Sequence, residues 1–267
     1  MKSFQNDGGI LISKKSALLL LVLTLAIGFC LFAASAYAAP KIHTIPYPEN
    51  YPTTADEDGA DAYGSSLYHP ESRYFVINDF YNMKSGDTLH ILSGFDTYQQ
   101  TTEYTCGTAS AVMVLHRFGE EGYDEMEIAE IAETDTSKGT SVEGLAKFFE
   151  GLGWNVDAHA DTEPRFADID EAERYLIEKL DVAIPVMVDW VDRAGHWQIV
   201  IGLDSVGTDD PYDDVLILAD PYDITDHCQD GYYVFPFGRF FNMWREGVCA
   251  QKDVPYEQPF VAAWPKS

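Results

Sequence analysis

The chain has 267 residues, with 44 Asp and Glu against 17 Lys and Arg, a formal charge of −27 at pH 7. A surface this acidic disfavours nucleic acid and anionic lipid as partners. The length and a hydrophobic content of 46% provide for one domain with a sizeable core.

The N-terminal 38 residues read as a targeting segment. Lys14 and Lys15 precede an apolar run from Ala17 to Ala33, and Ala36-Tyr37-Ala38 supplies a small-x-small cleavage site. That order of charge, apolar stretch and small residues predicts a secretory signal peptide at 1–38. At roughly 17–20 residues the apolar run is long enough to span a bilayer, so a retained anchor is the alternative. Cleavage after Ala38 removes Lys2, Lys14, Lys15 and Asp7, leaving 14 basic and 43 acidic residues, a formal −29. The expected protein is secreted or held at the cell surface, with no membrane insertion after cleavage. Cys106, Cys228 and Cys249 then remain. Outside the cytoplasm an odd cysteine count predicts one free thiol. Cys228 and Cys249 flank one C-terminal segment and are the candidates to pair, which leaves Cys106 free. The alternative is three reduced, buried cysteines packing as small hydrophobes.

Residues 39–64 are rich in Pro, Tyr, Asp and Gly and show no sustained apolar period. They predict an extended linker or a wrapping arm within a segment 39–72, either a plain tether or a strip lying near the cleft. A hairpin is expected next, with Tyr74–Ile77 and Leu89–Leu92 flanking a turn at Ser85-Gly86. From Cys106 to Phe118 small and apolar residues run almost continuously, which predicts a helix buried on most faces. An acidic amphipathic helix follows at 124–133. Thr140-Ser141-Val142-Glu143 reads as a capping box opening a third helix that ends at Gly151 or Gly153. A fourth helix is expected from Ile169 to Leu180. Beyond it, Ala183–Trp190, His196–Leu203, Val215–Ala219 and Tyr232–Phe235 are short β-branched or aromatic runs between Asp-, Gly- and Pro-rich turns. Gly238–Trp244 suggests a last helical turn. Helices first and strands second predict an α+β domain over 73–250, with 251–267 as a C-terminal tail.

Three residues carry the candidate chemistry, and a fourth supports it. A thiol hydrolase needs its sulfur ionised near neutral pH, and the field at a helix N-terminus favours the thiolate. Cys106 stands where the buried helix begins, followed by Gly107. His196 opens an apolar strand and follows Gly195, which suits an imidazole base on a rigid element. Asp220, before Pro221, ends the next strand and suits an orienting carboxylate on the far ring nitrogen. Gln100, six residues before Cys106, is the candidate side-chain oxyanion donor, with Gln99 as the fallback. Taken singly these are a packing cysteine, a core histidine and a turn aspartate; their order and context together point to a site. Asp204, Asp209, Asp210, Asp213 and Asp214 crowd one loop without the spacing of a calcium loop, so no metal is assigned. His227-Cys228 has no second pair to complete a zinc site. No cofactor is expected.

The combination of Gln100 with Cys106-Gly107-Thr108-Ala109-Ser110, Gly195-His196-Trp197 and Asp220-Pro221 resembles the double-glycine leader peptidases and their relatives without transporter modules, within the papain-like cysteine peptidase superfamily. The resemblance covers residues 95–245. It implies a papain-like fold with a central helix on an antiparallel sheet, Cys106 as nucleophile, His196 as general base, Asp220 as orienting residue and Gln100 in the oxyanion hole. The chain departs from the family pattern at Thr108, where Pro is common. The expected activity is hydrolysis of peptide or isopeptide bonds in a peptide or protein substrate through a cysteine thioester. An acyl or amine transferase on the same residues and a non-catalytic surface binding domain are the alternatives.

Overall fold

A computed structural model describes residues 42–49, 51, 59–60, 69, 72–247 and 255–266. The predicted signal peptide and Cys249 lie outside these residues. Contacts group residues 41–267 into one compact unit, wider at both ends than the expected 73–250.

The helices start where the sequence supplies caps. Helix α1 (Cys106–Arg117) is buried from Cys106 through Leu115 and stops at Gly119, whose φ of +79° is open to glycine without strain. Its side chains Val112, Met113, Val114 and Leu115 are nearly fully buried, each worth about 1.5–3 kcal/mol of apolar transfer. Helix α2 (Glu125–Ile131) is opened by a reciprocal box in which Asp124 accepts from the Glu127 backbone and Glu127 accepts from that of Asp124. Helix α3 (Val142–Gly151) is capped by Ser141 rather than Thr140, and Glu143 accepts from the Tyr256 hydroxyl at 2.6 Å. Helix α4 (Ile169–Asp181) is capped by Asp168 and buries Ile169, Ala172, Leu176 and Leu180, a stripe at helical spacing. Helix α5 (Phe237–Met243) is the expected short C-terminal helix.

Among the described residues seven strands form one antiparallel sheet: β1 (Leu89–Ile91), β2 (Asn155–His159), β3 (Val186–Trp190), β4 (His196–Asp204), β5 (Val215–Ala219), β6 (Tyr232–Pro236) and β7 (Phe260–Trp264). The order is β2-β7-β3-β4-β5-β6, with β1 joining the far end of β4. Strand β4 is buried at every residue but its last, and α1 and α4 both pack on it. The chain therefore adopts the α+β arrangement expected, a central helix on an antiparallel sheet.

Two expectations are corrected. Tyr74–Ile77 form no strand, and Tyr74 and Val76 are exposed; β1 pairs with β4, so the hairpin does not exist. Leu89–Ile91 gains more from the buried edge of β4 than from a two-stranded ribbon in water. The C-terminal segment 251–267 is not simply a tail. Its residues 260–264 form β7, paired with β2 from His159↔Phe260 to Asn155↔Trp264 and with β3 from Val188↔Phe260 to Val186↔Ala262. A short run with two alanines carries little strand signal by itself; burial between two partners supplies it.

Candidate active site

Cys106 is the first residue of α1. Thr105 stands at the cap position but gives no side-chain cap, and its hydroxyl instead lies 2.7 Å from that of Thr102. The N-terminal dipole end of a buried helix therefore faces the Cys106 side without a capping oxygen to neutralise it. Thr108 donates its hydroxyl to the Thr105 carbonyl at 3.1 Å and ties down the first turn. Gly107 is a steric requirement. A Cβ there would sit 2.9 Å from Thr140 Cβ and 3.1 Å from the Trp197 ring, so the glycine lets α1 settle against β4. Trp197 is held in turn by its indole N–H on the Thr140 carbonyl at 2.8 Å.

His196 opens β4, paired with Trp190 of β3, and is almost fully buried. Ala219 pairs with Ile199, so Asp220 lies just past the last rung of β5, and its Oδ1 reaches His196 Nε2 at 2.7 Å. The Cys106 thiol is a hydrogen-bond partner of the same ring, for which Nδ1 is the nitrogen left. Burial alone would favour the neutral ring. The charge and hydrogen bond of Asp220, with those of Cys106, outweigh it and lift His196 to about 10. Burial likewise opposes ionisation of Asp220, yet the facing imidazolium holds its carboxyl below the ordinary range. The arrangement is a buried carboxylate, an imidazolium and a thiol in line.

The line ends in a cleft of about 260 Å³ walled by Cys106, Trp197, Gly195, Thr140 and the polar Glu103, Lys138, Asp189 and Glu246. Gly195, at φ +128°, comes against Gly247, where a Cβ would lie 2.1 Å from the Ala194 carbonyl oxygen; two glycines keep this rim of the cleft thin. Burial, then the Glu246 charge, raises Asp189 to about 7.

Gln100 is not one of the cleft walls. It is buried, its backbone N–H donates to the Pro221 carbonyl at 2.8 Å, and its side-chain amide donates to the Thr102 carbonyl at 2.6 Å. Its Oε1 is buried without a partner. Gln99 has a different job from the one expected of a fallback donor. Its Nε2 donates to the Asp220 carbonyl at 3.0 Å and its Oε1 accepts from the Asp223 N–H at 3.2 Å, so both ends of the amide clamp the Asp220 loop.

Sequence reasoning missed Glu125. This first residue of α2 is fully buried beneath the 98–105 segment, where it accepts from the Thr101 N–H at 3.1 Å, the Thr101 hydroxyl at 3.0 Å and the Tyr98 hydroxyl at 3.1 Å. Burial raises its carboxyl to about 7, and hydrogen bonds from Thr105, Thr101 and Tyr98 limit the rise. An acidic residue in a first helical turn usually signals a solvated helix dipole partner, so no local pattern reveals a buried one. Glu103 was also missed. It accepts from the Tyr222 hydroxyl at 2.7 Å and so links the cleft wall to the loop after Asp220. Cys228 is a buried free thiol, pushed up by burial and by Asp230 and Asp226; its suggested partner Cys249 is outside the described residues. No group of three or more His, Cys, Asp or Glu among the described residues is arranged to hold a metal.

Residues 95–222 match the model of the Peptidase C39 family. This span contains Gln100, Cys106, His196 and Asp220. The chain thus resembles the bacteriocin-processing peptidases over a stretch that holds most of the cleft wall, Glu246 and Gly247 lying beyond it, and the match supports cysteine peptidase activity on a peptide or protein substrate. Among solved structures, the chain is similar to the peptidase domain of Streptococcus ComA, a bi-functional ABC transporter involved in a quorum sensing pathway. That match has 18% identity and a TM-score of 0.43, covering 64% of this chain and 99% of that one. The peptidase domain of Streptococcus mutans ComA matches at 17% identity and a TM-score of 0.37, covering 63% and 98%. No curated protein matches the chain. Among the described residues no helix is long and apolar enough to cross a membrane.

Proposed function

We propose that the C39-like domain is a thiol hydrolase that cleaves peptide or isopeptide bonds with Cys106 as nucleophile, His196 as general acid and base, and Asp220 as its orienting carboxylate. The observation that carries this reading is the 2.7 Å contact between His196 Nε2 and Asp220 Oδ1, which leaves Nδ1 to the Cys106 thiol at the cleft. The cationic ring favours the thiolate beside it. The sulfur attacks the scissile carbonyl carbon, and the oxyanion forms beside the first N–H groups of α1. His196 gives its proton to the leaving amine as the C–N bond breaks, leaving a thioester on Cys106. The neutral ring then takes a proton from water, whose oxygen attacks the thioester; the carboxylate product leaves and the thiolate–imidazolium pair is restored. Gln100 serves as a second oxyanion donor when its amide turns from Thr102 toward the substrate.

The Lys14-to-Ala38 segment supports export and action outside the cytoplasm. The test is to profile the full-length protein against a peptide library under mild reductant. Cleavage by the wild type and none by Cys106→Ala is the expected result; cleavage by both would reject the nucleophile, and cleavage by neither would reject the activity.

A further inference from the structure

The N-terminal arm holds the segment that leads into Cys106. Residues 97–105 belong to no helix or strand, so their buried backbone groups need partners from elsewhere in the chain. On one side the partners come from the Asp220 loop: the Pro221 carbonyl takes the Gln100 N–H, and the Gln99 side chain holds Asp220 and Asp223. On the other side they come from the arm. The Ile45 N–H donates to the Thr97 carbonyl at 2.8 Å, the Thr97 N–H to the His43 carbonyl at 3.1 Å, and the Tyr47 hydroxyl to the Gln99 carbonyl at 2.8 Å. Nearest the site, the Ala60 N–H donates to the Gln100 carbonyl at 2.9 Å and the Gly59 N–H to Glu103 Oε1 at 3.1 Å.

Gly59 makes this contact possible. Its φ is +80°, and a Cβ there would lie 2.5 Å from Thr101 C, 2.7 Å from Gln100 O and 2.7 Å from Thr102 N. All three are backbone atoms, so a side chain fits only if the Gln100–Thr102 backbone moves. Ala60 beside it is fully buried, and its carbonyl accepts from the Gln229 side chain at 2.6 Å. A plain tether leaves neither contact.

We propose that the arm is a positioning element of the active site, with Gly59 as its key residue, setting the Gln100–Glu103 backbone and through it the Gln100 amide. This rests on the reading of Cys106 as nucleophile. Loss of the arm contact therefore lowers activity.

The test uses full-length Gly59→Ala, Gln100→Ala, the double variant and Cys106→Ala. Turnover is measured on a cleaved library peptide, with active protein counted by thiol labelling and folding followed by thermal melting. Gly59→Ala is expected to lower kcat at least tenfold with KM within about twofold. In the double variant it should add less than twofold to the Gln100→Ala loss, since both act on one group. A merely structural role would multiply the two losses in full and overturn the proposal. Should Gly59→Ala lose its cooperative melt, Tyr47→Phe replaces it, with an expected threefold fall in kcat; an unchanged kcat would overturn the proposal. Wild-type cleavage by Gly59→Ala beside an inactive Cys106→Ala removes the arm's role alone. Cleavage that survives Cys106→Ala removes the reading and the arm's role together.

Discussion

Two buried carboxylates flank the route into Cys106; burial disfavours the charge of both, yet they shift in opposite directions. Asp220 faces an imidazolium and is held below the ordinary carboxylate range, whereas Glu125 faces only neutral donors and rises to about 7. Both are nearly inaccessible to water. The difference lies in what each can do. A carboxylate beside a cation keeps its charge and stabilises the protonated ring, so it can serve chemistry. A carboxylate among hydroxyls and one backbone N–H gives up its charge near neutrality, so it serves to organise a loop.

The strongest way to break this contrast is activity at the charged end. His196→Ala should cost about 10²–10⁴ in kcat/KM, the usual worth of a positioned general acid and base. Asp220→Ala should also be severe, whereas Asp220→Asn keeps a hydrogen bond to Nε2 and loses less. The Asn variant should also move the alkaline limb of the pH–rate profile towards neutral pH, because the Asp220 charge is what lifts the ring to about 10. An unmoved limb would show that Asp220 does not set the ring's charge.

Next in size is Gln100→Ala, expected to retain partial activity with a loss of up to about 10²–10³, the worth of one oxyanion donor. Full activity in steady-state assays would leave the Gln100 amide bound to Thr102 throughout the cycle.

At the uncharged end the effect should fall on stability. Glu125→Ala strands the Thr101 N–H and the Thr101 and Tyr98 hydroxyls, at about 1–3 kcal/mol for each donor left without an acceptor. At roughly 2–4 °C per kcal/mol the melting temperature should drop by about 10 °C. Glu125→Gln keeps an acceptor and should retain both fold and turnover. If Glu125→Gln instead abolished turnover in a stably folded protein, the division of labour between the two carboxylates would be wrong.

The smallest expected effect is the pH dependence of stability. Between pH 4.5 and about 7 the unfolded chain releases the Glu125 proton while the folded chain keeps it, so stability falls as pH rises through that window. Asp230, raised by burial from 3.8 to about 7, acts in the same sense. His196 adds a loss between 6.5 and about 10, where the unfolded ring is neutral and the folded one still charged. Thermal melts should therefore be higher at pH 5 than at pH 8, by roughly 5 °C if the net effect is about 2 kcal/mol. Glu125→Gln should flatten the profile below pH 7.

What the sequence displayed was whatever local chemistry determines. The helix from Cys106 to Arg117 is legible because its apolar residues are continuous and Gly119 ends it. The Cys106, His196 and Asp220 positions are legible because a cysteine at a helix start, a histidine after glycine and an aspartate before proline are local patterns. The rest depends on partners distant in the chain. Strand β7 is a strand because β2 and β3 lie on either side of it, Glu125 is buried because the 98–105 segment closes over it, and the arm packs because Gly59 leaves room for a backbone. No residue at those positions announces its partner. Gln99 and Gln100 show the boundary well: adjacent and chemically identical, they differ only in whether the side chain meets the Asp220 loop or the Thr102 carbonyl.

The most direct test of the central claim is to trap the thioester. Full-length protein mixed with a cleaved peptide and quenched in acid within one turnover should carry the acyl fragment on the tryptic peptide containing Cys106. Cys106→Ala should carry none, and His196→Ala should acylate far more slowly. An acyl group found on Cys228 or on a residue other than cysteine, or peptide turnover by Cys106→Ala, would contradict the account.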